Sequence, residues 1–255
     1  MPELVEIEYY RRLAERVVGR RVAAVVADDP WYLKRGARPA VVVGERVTEA
    51  RRIGKLLLLD TTGPTLGLRF GMTGRLLVDG TAGLTELEYG SARDVPAWDR
   101  FVLGFDDGGT LAMRDPRRLG GVEVDPDESL LGVDACVVTA GQLAAALRGS
   151  AAPVKARLMD QSRIAGLGNL LTDEILWRAG LDPARPAGSL SAVEVRRLHR
   201  HVRSTVLDLL DGGGSHTGRL QVARIRGGLC PRDGTPLLRR TVGGRTTYSC
   251  PRHQR

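Results

Sequence analysis

Cysteine is scarce in this chain. There are three in 255 residues, at positions 136, 230 and 250. So few, and an odd number, exclude the disulfide framework that staples small secreted domains. Aromatic residues make up only 4% of the chain, too few for a single-strand binder built on stacking platforms. No apolar run approaches the roughly 20 residues that a membrane-spanning helix needs. The N-terminus is acidic and amphipathic, whereas a secretory signal is basic and then apolar. A cytoplasmic protein with no membrane partner is the expectation.

Positive charge is what the chain has in excess. Lys and Arg number 38 against 30 Asp and Glu, a formal net charge of +8, with a sequence pI near 10.0. Such a balance points to a polyanionic partner, because Lys and Arg neutralise phosphates and release counterions. The basic residues are mostly arginine, whose planar fork suits phosphate, although a high-GC genome also enriches arginine. With 42% hydrophobic residues, the chain can build two modest domains or one large one.

Hydrophobic periodicity divides the chain. Residues 3–18 carry Leu4, Ile7, Tyr10, Leu13, Ala14 and Val17 at helical spacing, and Gly19 stops the helix. From Val22 to about Val124 the pattern changes to short Val/Leu-rich runs at 40–43, 55–60, 65–70, 75–78, 100–105 and 110–114. Short strands at this density predict a β-sandwich or barrel. Helical patterns then cover 140–148, 153–163, 169–179 and 190–210, and Gly212–Gly214 reads as a joint. From about residue 226 short strands carry paired metal-type residues. The expected fold class is α+β: an N-terminal helix with a β-sandwich domain (1–133), a helical domain (134–225) and a small finger-like β-hairpin (226–255).

The chain begins Met1-Pro2-Glu3-Leu4-Val5-Glu6. Removal of Met1 leaves a proline secondary amine, and an α-amino group titrates at about 7.7–8.0. Attack by such an amine on a sugar aldehyde carbon gives a cationic iminium, an electron sink of the Schiff-base kind. Glu3 and Glu6 lie close by in sequence to move its protons. The plainer reading of Pro2 is a residue that opens a helix where its missing N–H costs nothing. Further on, residues 153–177 form two helical runs joined by Ile164-Ala165-Gly166-Leu167-Gly168-Asn169. Asn169 stands where an N-cap is expected, beside N–H groups that can hold a phosphate.

This joined segment closely resembles the helix–two-turn–helix of the formamidopyrimidine-DNA glycosylase and endonuclease VIII family. Four further segments resemble that family in the same order. They are the N-terminal hexapeptide, Gly54-Lys55-Leu56-Leu57 on a lysine-bearing strand, Gly71-Met72-Thr73-Gly74 in a lesion-site loop, and Asp115-Pro116-Arg117-Arg118-Leu119-Gly120 in an intercalation loop. The resemblance implies a bilobal, bacterial-type, nucleoid-associated base-excision enzyme that acts as a monomer on double-stranded DNA holding a damaged base or an abasic site. It implies Pro2 as the nucleophile at C1′, Glu3 as acid/base partner, Glu6 as support and Lys55 as a phosphate or leaving-group contact. The implied cycle is base release, Schiff base formation and β,δ-elimination on a nucleotide flipped from the duplex. Met72, Arg117 and Leu119 match the residues that fill the vacated space, with Arg118 beside them on the DNA. Their chemistry agrees: a flexible apolar Met, an Arg that can hydrogen-bond an orphaned base, and a Leu that can wedge between base steps.

The tail carries Cys230, Asp233, Cys250 and His253. Its internal spacing resembles the family's four-cysteine zinc finger, with Asp and His at the second and fourth positions. Zinc accepts thiolate, imidazole and carboxylate, so a weaker structural zinc site is one reading. A finger held by packing alone is the other. Gly243-Gly244-Arg245 resembles the finger's hairpin tip, which implies that Arg245 grips phosphates. Val5 replaces the family's usual proline and Leu119 its wedge phenylalanine. The stretch 211–229 is short where the family's formamidopyrimidine branch carries a loop that closes over an oxidised purine, which argues against efficient 8-oxoguanine recognition and leaves the preferred lesion open. Two other readings remain. One is a non-excising protein of the same fold that binds abasic sites or nicks; it gives Pro2, Glu3, Glu6 and Lys55 little to do together. The other is a zinc-ribbon protein that binds RNA or ribosomes; it leaves the N-terminal segment unexplained.

Overall fold

The computed structural model describes residues 2–84, 93 and 95–255. Met1, whose removal the proline chemistry requires, lies outside them. The chain divides into two compact units. One holds Pro2 and Glu6–Glu128, and the other holds Glu3–Val5 and Ser129–Arg255.

The first unit continues helix α1 (Leu4–Ala14, extended by a 3-10 turn to Val17). Among the described residues nine strands follow: β1 (Val22–Val26), β2 (Val47–Ile53), β3 (Leu56–Thr61), β4 (Leu66–Arg69), β5 (Arg75–Val78), β6 (Thr81–Ala82), β7 (Asp99–Phe105), β8 (Thr110–Arg114) and β9 (Gly121–Val124). They form a five-stranded sheet in the order β1-β7-β8-β5-β6 and a four-stranded sheet in the order β2-β3-β4-β9. All neighbours are antiparallel. Alternation sends Leu57 and Leu59 of β3, Leu66 and Leu68 of β4, Leu76 and Val78 of β5, and Phe101, Leu103 and Phe105 of β7 into one core. In a strand every second residue shares a face. Ile7, Tyr10, Ala14 and Val17 close that core from α1. The Tyr10 ring lies 4.6 Å from that of Phe70, and its hydroxyl donates to the Gly74 carbonyl at 3.1 Å. Each large side chain buried in this way contributes about 1.5–3 kcal/mol.

The second unit contains the short parallel pair β10 (Val133–Asp134) and β11 (Ile164–Ala165), and helices α2 (Ala140–Leu147), α3 (Val154–Leu158), α4 (Asn169–Ala179) and α5 (Ala192–Asp211). The hairpin of β12 (Leu238–Val242) and β13 (Arg245–Ser249) completes it. Helices α2 and α5 each open with a capping box, Thr139 with Gln142 and Ser191 with Glu194. Both satisfy orphan N–H groups reciprocally. Nearly every residue of α4 is buried, as befits a helix packed on all sides.

Three elements depart from the sequence expectation. Residues 40–43 were expected as a strand, but Pro39–Val42 form a 3-10 turn. Pro39 fixes a helical φ at its start, and of the valines only Val42 is fully buried. The helix expected over 153–163 ends at Leu158, because the Asp160 carboxylate takes the Ser162 N–H and hydroxyl in a local turn. Lys55, expected on a strand, is the second residue of the two-residue loop that joins Ile53 to Leu56.

Candidate active site and metal centre

Glu3 and the start of α4 meet inside the second unit. The sequence placed Asn169 as the N-cap of α4, with free N–H groups for a phosphate. In the structure Gly168 is the N-cap and Asn169 is the first helical residue. The Glu3 carboxylate accepts from Gly168 N–H at 2.9 Å, Leu170 N–H at 2.8 Å and Leu171 N–H at 3.1 Å. Those donors are therefore committed to a side chain from the N-terminus, which caps the helix from outside its own sequence. A Cβ on Gly168 would stand 2.3 Å from the Glu3 carboxyl carbon, so only glycine admits this approach. The Leu4 N–H donates to the Gly166 carbonyl at 3.2 Å. Residues 3 and 4 are thus fixed through side chain and backbone, and buried Pro2 is bonded directly to them. Asn169 is half-buried, and its Oδ1 has no hydrogen-bond partner among the described residues.

In the first unit Glu6 is buried on α1, and Lys55 is half-buried at the β2–β3 loop. Two other loops meet through Asp115, a residue whose part was not legible in sequence. Its fully buried carboxylate accepts from Thr73 Oγ1 at 2.6 Å, Arg117 N–H at 3.2 Å and Gly120 N–H at 2.8 Å. Met72 is half-buried beside Thr73, while Arg117 and Leu119 are exposed. One carboxylate thus joins the loop of Met72 to the loop of Arg117 and Leu119. Arg118 is exposed too, but its guanidinium is held by Asp29, Nε to Oδ2 at 2.5 Å and Nη2 to Oδ1 at 2.6 Å.

Arg245 is exposed at the first position of β13, after a two-residue loop of Gly243 and Gly244, both at positive φ. Two consecutive positive φ values suit a tight hairpin that only glycine fills freely. The hairpin is anchored by a buried ion cluster that sequence reading missed. Lys155 of α3 pairs with Asp173 of α4 at 2.7 Å, both side chains fully buried. Lys155 Nζ also donates to Thr247 Oγ1 at 2.7 Å and to the Thr246 carbonyl at 3.2 Å. Asp173 also accepts from Tyr248 N–H at 3.3 Å and from Arg224. Arg224 lies over the Tyr248 ring at 5.2 Å. Burial holds the Lys155 ammonium below its usual range and pushes the Asp173 carboxyl above its own. The lysine and aspartate stand within a recognised segment of sequence, but nothing in their spacing shows that they face a hairpin some 75–90 residues away.

Cys230, Asp233, Cys250 and His253 come together as their spacing predicts, with ligand atoms all within 4.8 Å of one another. Cys250 Sγ is 3.4 Å from Asp233 Oδ2, Cys230 Sγ is 3.7 Å from His253 Nδ1, and that nitrogen is 3.1 Å from Asp233 Oδ2. Tetrahedral zinc with bonds of about 2.0–2.3 Å spaces its ligands by about 3.3–3.8 Å, so the four residues fit such an ion. The outer contacts suit it as well. His253 Nε2 faces the Trp177 carbonyl at 3.2 Å, which leaves Nδ1 for a metal. The Trp177 indole N–H points at Cys230 Sγ at 3.3 Å. The Thr235 N–H holds the Asp233 carboxyl well below the usual carboxylate range, while burial pushes the Cys250 thiol up. Cys136 is half-buried and stands apart from this group.

Comparison with known proteins follows the same division. Residues 1–122 match the family model of the formamidopyrimidine-DNA glycosylase N-terminal domain, and residues 131–219 match that of its H2TH domain. The chain is 37% identical to a formamidopyrimidine-DNA glycosylase of Paracoccus denitrificans, over 98% of this chain and 99% of that protein. It is 34% identical to one of an Acidovorax species, over the full length of both. Among solved structures, the MutM (Fpg) protein of Thermus thermophilus superposes with a TM-score of 0.82 at 33% identity, covering 99% of this chain and 98% of that one. The Lactococcus lactis Fpg in complex with DNA containing an abasic site gives 0.81 at 23% identity over the full length of both, a likeness of fold.

Proposed function

The chain belongs to the formamidopyrimidine-DNA glycosylase family, and from that membership we propose how its residues divide the work of a DNA glycosylase and AP lyase of base excision repair. The observation that carries the proposal is the anchored N-terminus. Glu3 is fixed by three backbone N–H groups and Leu4 by a fourth bond, so the amine of Pro2 is presented from a rigid base. Rigid presentation of a nucleophile is what covalent catalysis requires.

With Met1 removed, the Pro2 nitrogen attacks C1′ of the damaged nucleotide. The glycosidic bond breaks, and the base leaves with the bonding pair. Opening of the sugar ring places a proton on O4′ and a C1′=N⁺ iminium on Pro2, with Glu3 as the adjacent acid/base group. Removal of the C2′ proton sends its bonding pair into the iminium, the enamine so formed expels the 3′ phosphate, and removal of the C4′ proton in a second elimination expels the 5′ phosphate. Water then releases the sugar remnant from Pro2. Lys55 contacts a phosphate near the reacting sugar, and Glu6 supports the N-terminal helix. Met72, Arg117 and Leu119 fill the gap left by the flipped nucleotide. Asn169 and Arg245 hold phosphates of the double-stranded partner.

Cys230, Asp233, Cys250 and His253 would hold a structural zinc, whose part is to fix the fold of the hairpin that carries Arg245. The ligand-atom spacing and the ordered outer contacts support that reading. One carboxylate in place of a thiolate makes the site weaker than a four-cysteine finger.

Borohydride trapping on a duplex with one abasic site, with mass spectrometry of the N-terminus, tests the proline mechanism. The expected product is a covalent adduct that mass spectrometry places on the Pro2 nitrogen; Pro2→Gly, which keeps only a primary amine, is expected to trap more slowly while duplex affinity stays within about twofold, since the amine is not a phosphate contact. An adduct placed on a lysine side chain would sink the mechanism. No adduct on a bound duplex with Met1 shown absent would favour a non-excising binder.

A further inference from the structure

Arg118 has left-handed backbone, φ 57°, which a non-glycine residue seldom adopts. Strained backbone persists where its surroundings hold it, and such places cluster at working sites. Two carboxylates hold this one. Asp115 lies inside the loop and takes the N–H groups of Arg117 and Gly120. Asp29 lies outside it, across 89 residues of sequence, and takes the Arg118 guanidinium in a two-pronged ion pair. Asp29 is itself fixed, since its Oδ1 accepts the Trp31 N–H at 3.1 Å and its side chain is only 11% exposed. Arg117 and Leu119, on either side of Arg118, are left exposed.

We propose that the Asp29–Arg118 pair is a latch that positions the loop of Arg117 and Leu119 for insertion into the duplex, so that Asp29 is a positioning residue for this enzyme. The inference rests on the reading of Arg117 and Leu119 given above. Nothing in sequence marks Asp29, which belongs to a run of two aspartates before Pro30. A surface ion pair contributes little to global stability. Its consequence is local: without the second anchor, Arg118 relaxes toward ordinary backbone and Leu119 turns away from where a wedge must stand. The part of the reaction that depends on the loop is the opening of the duplex. Chemistry on an already unpaired nucleotide does not.

The test compares single-turnover borohydride trapping on an abasic site in duplex DNA with the same strand left single. Asp29→Asn keeps the size and the turn at Trp31 but removes the charge. It is expected to slow trapping on the duplex at least about tenfold, within the roughly hundredfold that a 1 Å misplacement can cost, and to leave the single strand within about twofold. Asp29→Glu, which keeps the charge, should restore most of the duplex rate. Arg118→Gly, which adopts the same backbone without strain, should add no further loss when combined with Asp29→Asn, because both remove one interaction. Equal losses on duplex and single strand, or an unchanged duplex rate, would overturn the latch. So would multiplicative losses in the double variant. A wild-type chain that traps on neither substrate would instead strike the Pro2 mechanism, and the latch with it.

Discussion

Glu3 and Pro2 are neighbours in sequence with separate physical tasks. The Glu3 side chain is fully buried, and its two oxygens meet three N–H groups at the start of α4. Truncation in Glu3→Ala strands those donors and is expected to cost about 2–4 kcal/mol of stability. Glu3→Gln keeps one acceptor oxygen and should cost about half as much. Urea unfolding of the variants reads both values. A Glu3→Ala protein as stable as the parent would mean that the carboxylate does not cap the helix. Asp115, Asp173 and Asp29 follow the same logic: each is a carboxylate with partners outside its own element. The pattern Asp-Pro-Arg-Arg-Leu-Gly drew attention to its arginines, whereas the structure shows the aspartate organising the loop. Arg118 and Arg117 read alike in sequence, but it is Arg118 whose guanidinium a carboxylate from elsewhere in the unit engages.

At the scale of elements, the terminal hairpin packs on a small core of Trp177, Leu220, Cys230 and Cys250, and small scaffolds commonly add a metal or disulfide staple. The purified protein is expected to carry about one zinc per chain, on the count of four ligands. Removing it with a chelator should raise amide exchange at Tyr248 and Cys250 while β7 and β8 stay protected. Asp233→Cys should tighten zinc binding in a competition with a chelating dye, because thiolate is the softer ligand. Unchanged affinity would mean that Asp233 does not ligate. The Lys155–Asp173–Arg224 cluster fastens the same hairpin to α3 and α4 by a second route. The stretch 211–229 is tied down as well. The Glu174 carboxylate accepts the Arg219 and Leu220 N–H groups, and Leu220 is fully buried. This stretch is therefore tethered at Arg219 and Leu220, while Val222 and Ile225 beyond them are exposed.

For the whole molecule, the net charge of +8 is the widest-ranging feature, since it acts on a duplex before any specific contact forms. Affinity for damaged and undamaged duplex should fall steeply with salt. Arg245→Ala is expected to weaken both alike and to lower the salt slope by about one, the signature of a phosphate contact. A change in lesion preference with an unaltered slope would remove Arg245 from the phosphate contacts. Among the described residues no helix is long and apolar enough to cross a membrane.

The sequence by itself determined the class of most segments and the residues of the finger that come together. Period-two alternation, helical spacing and x2 ligand intervals are local patterns, and local patterns survive in a linear chain. It carried the family through short segments whose order along the chain is itself information. Only the tertiary structure decided what each charged side chain faces. Glu3 caps a helix that begins 166 residues later, Asp29 holds an arginine 89 residues away, and Lys155 and Asp173 fasten a hairpin 75–92 residues on. Burial and pairing across such distances are set by how packed elements bring backbone donors and carboxylates together, and no one-dimensional spacing encodes that meeting.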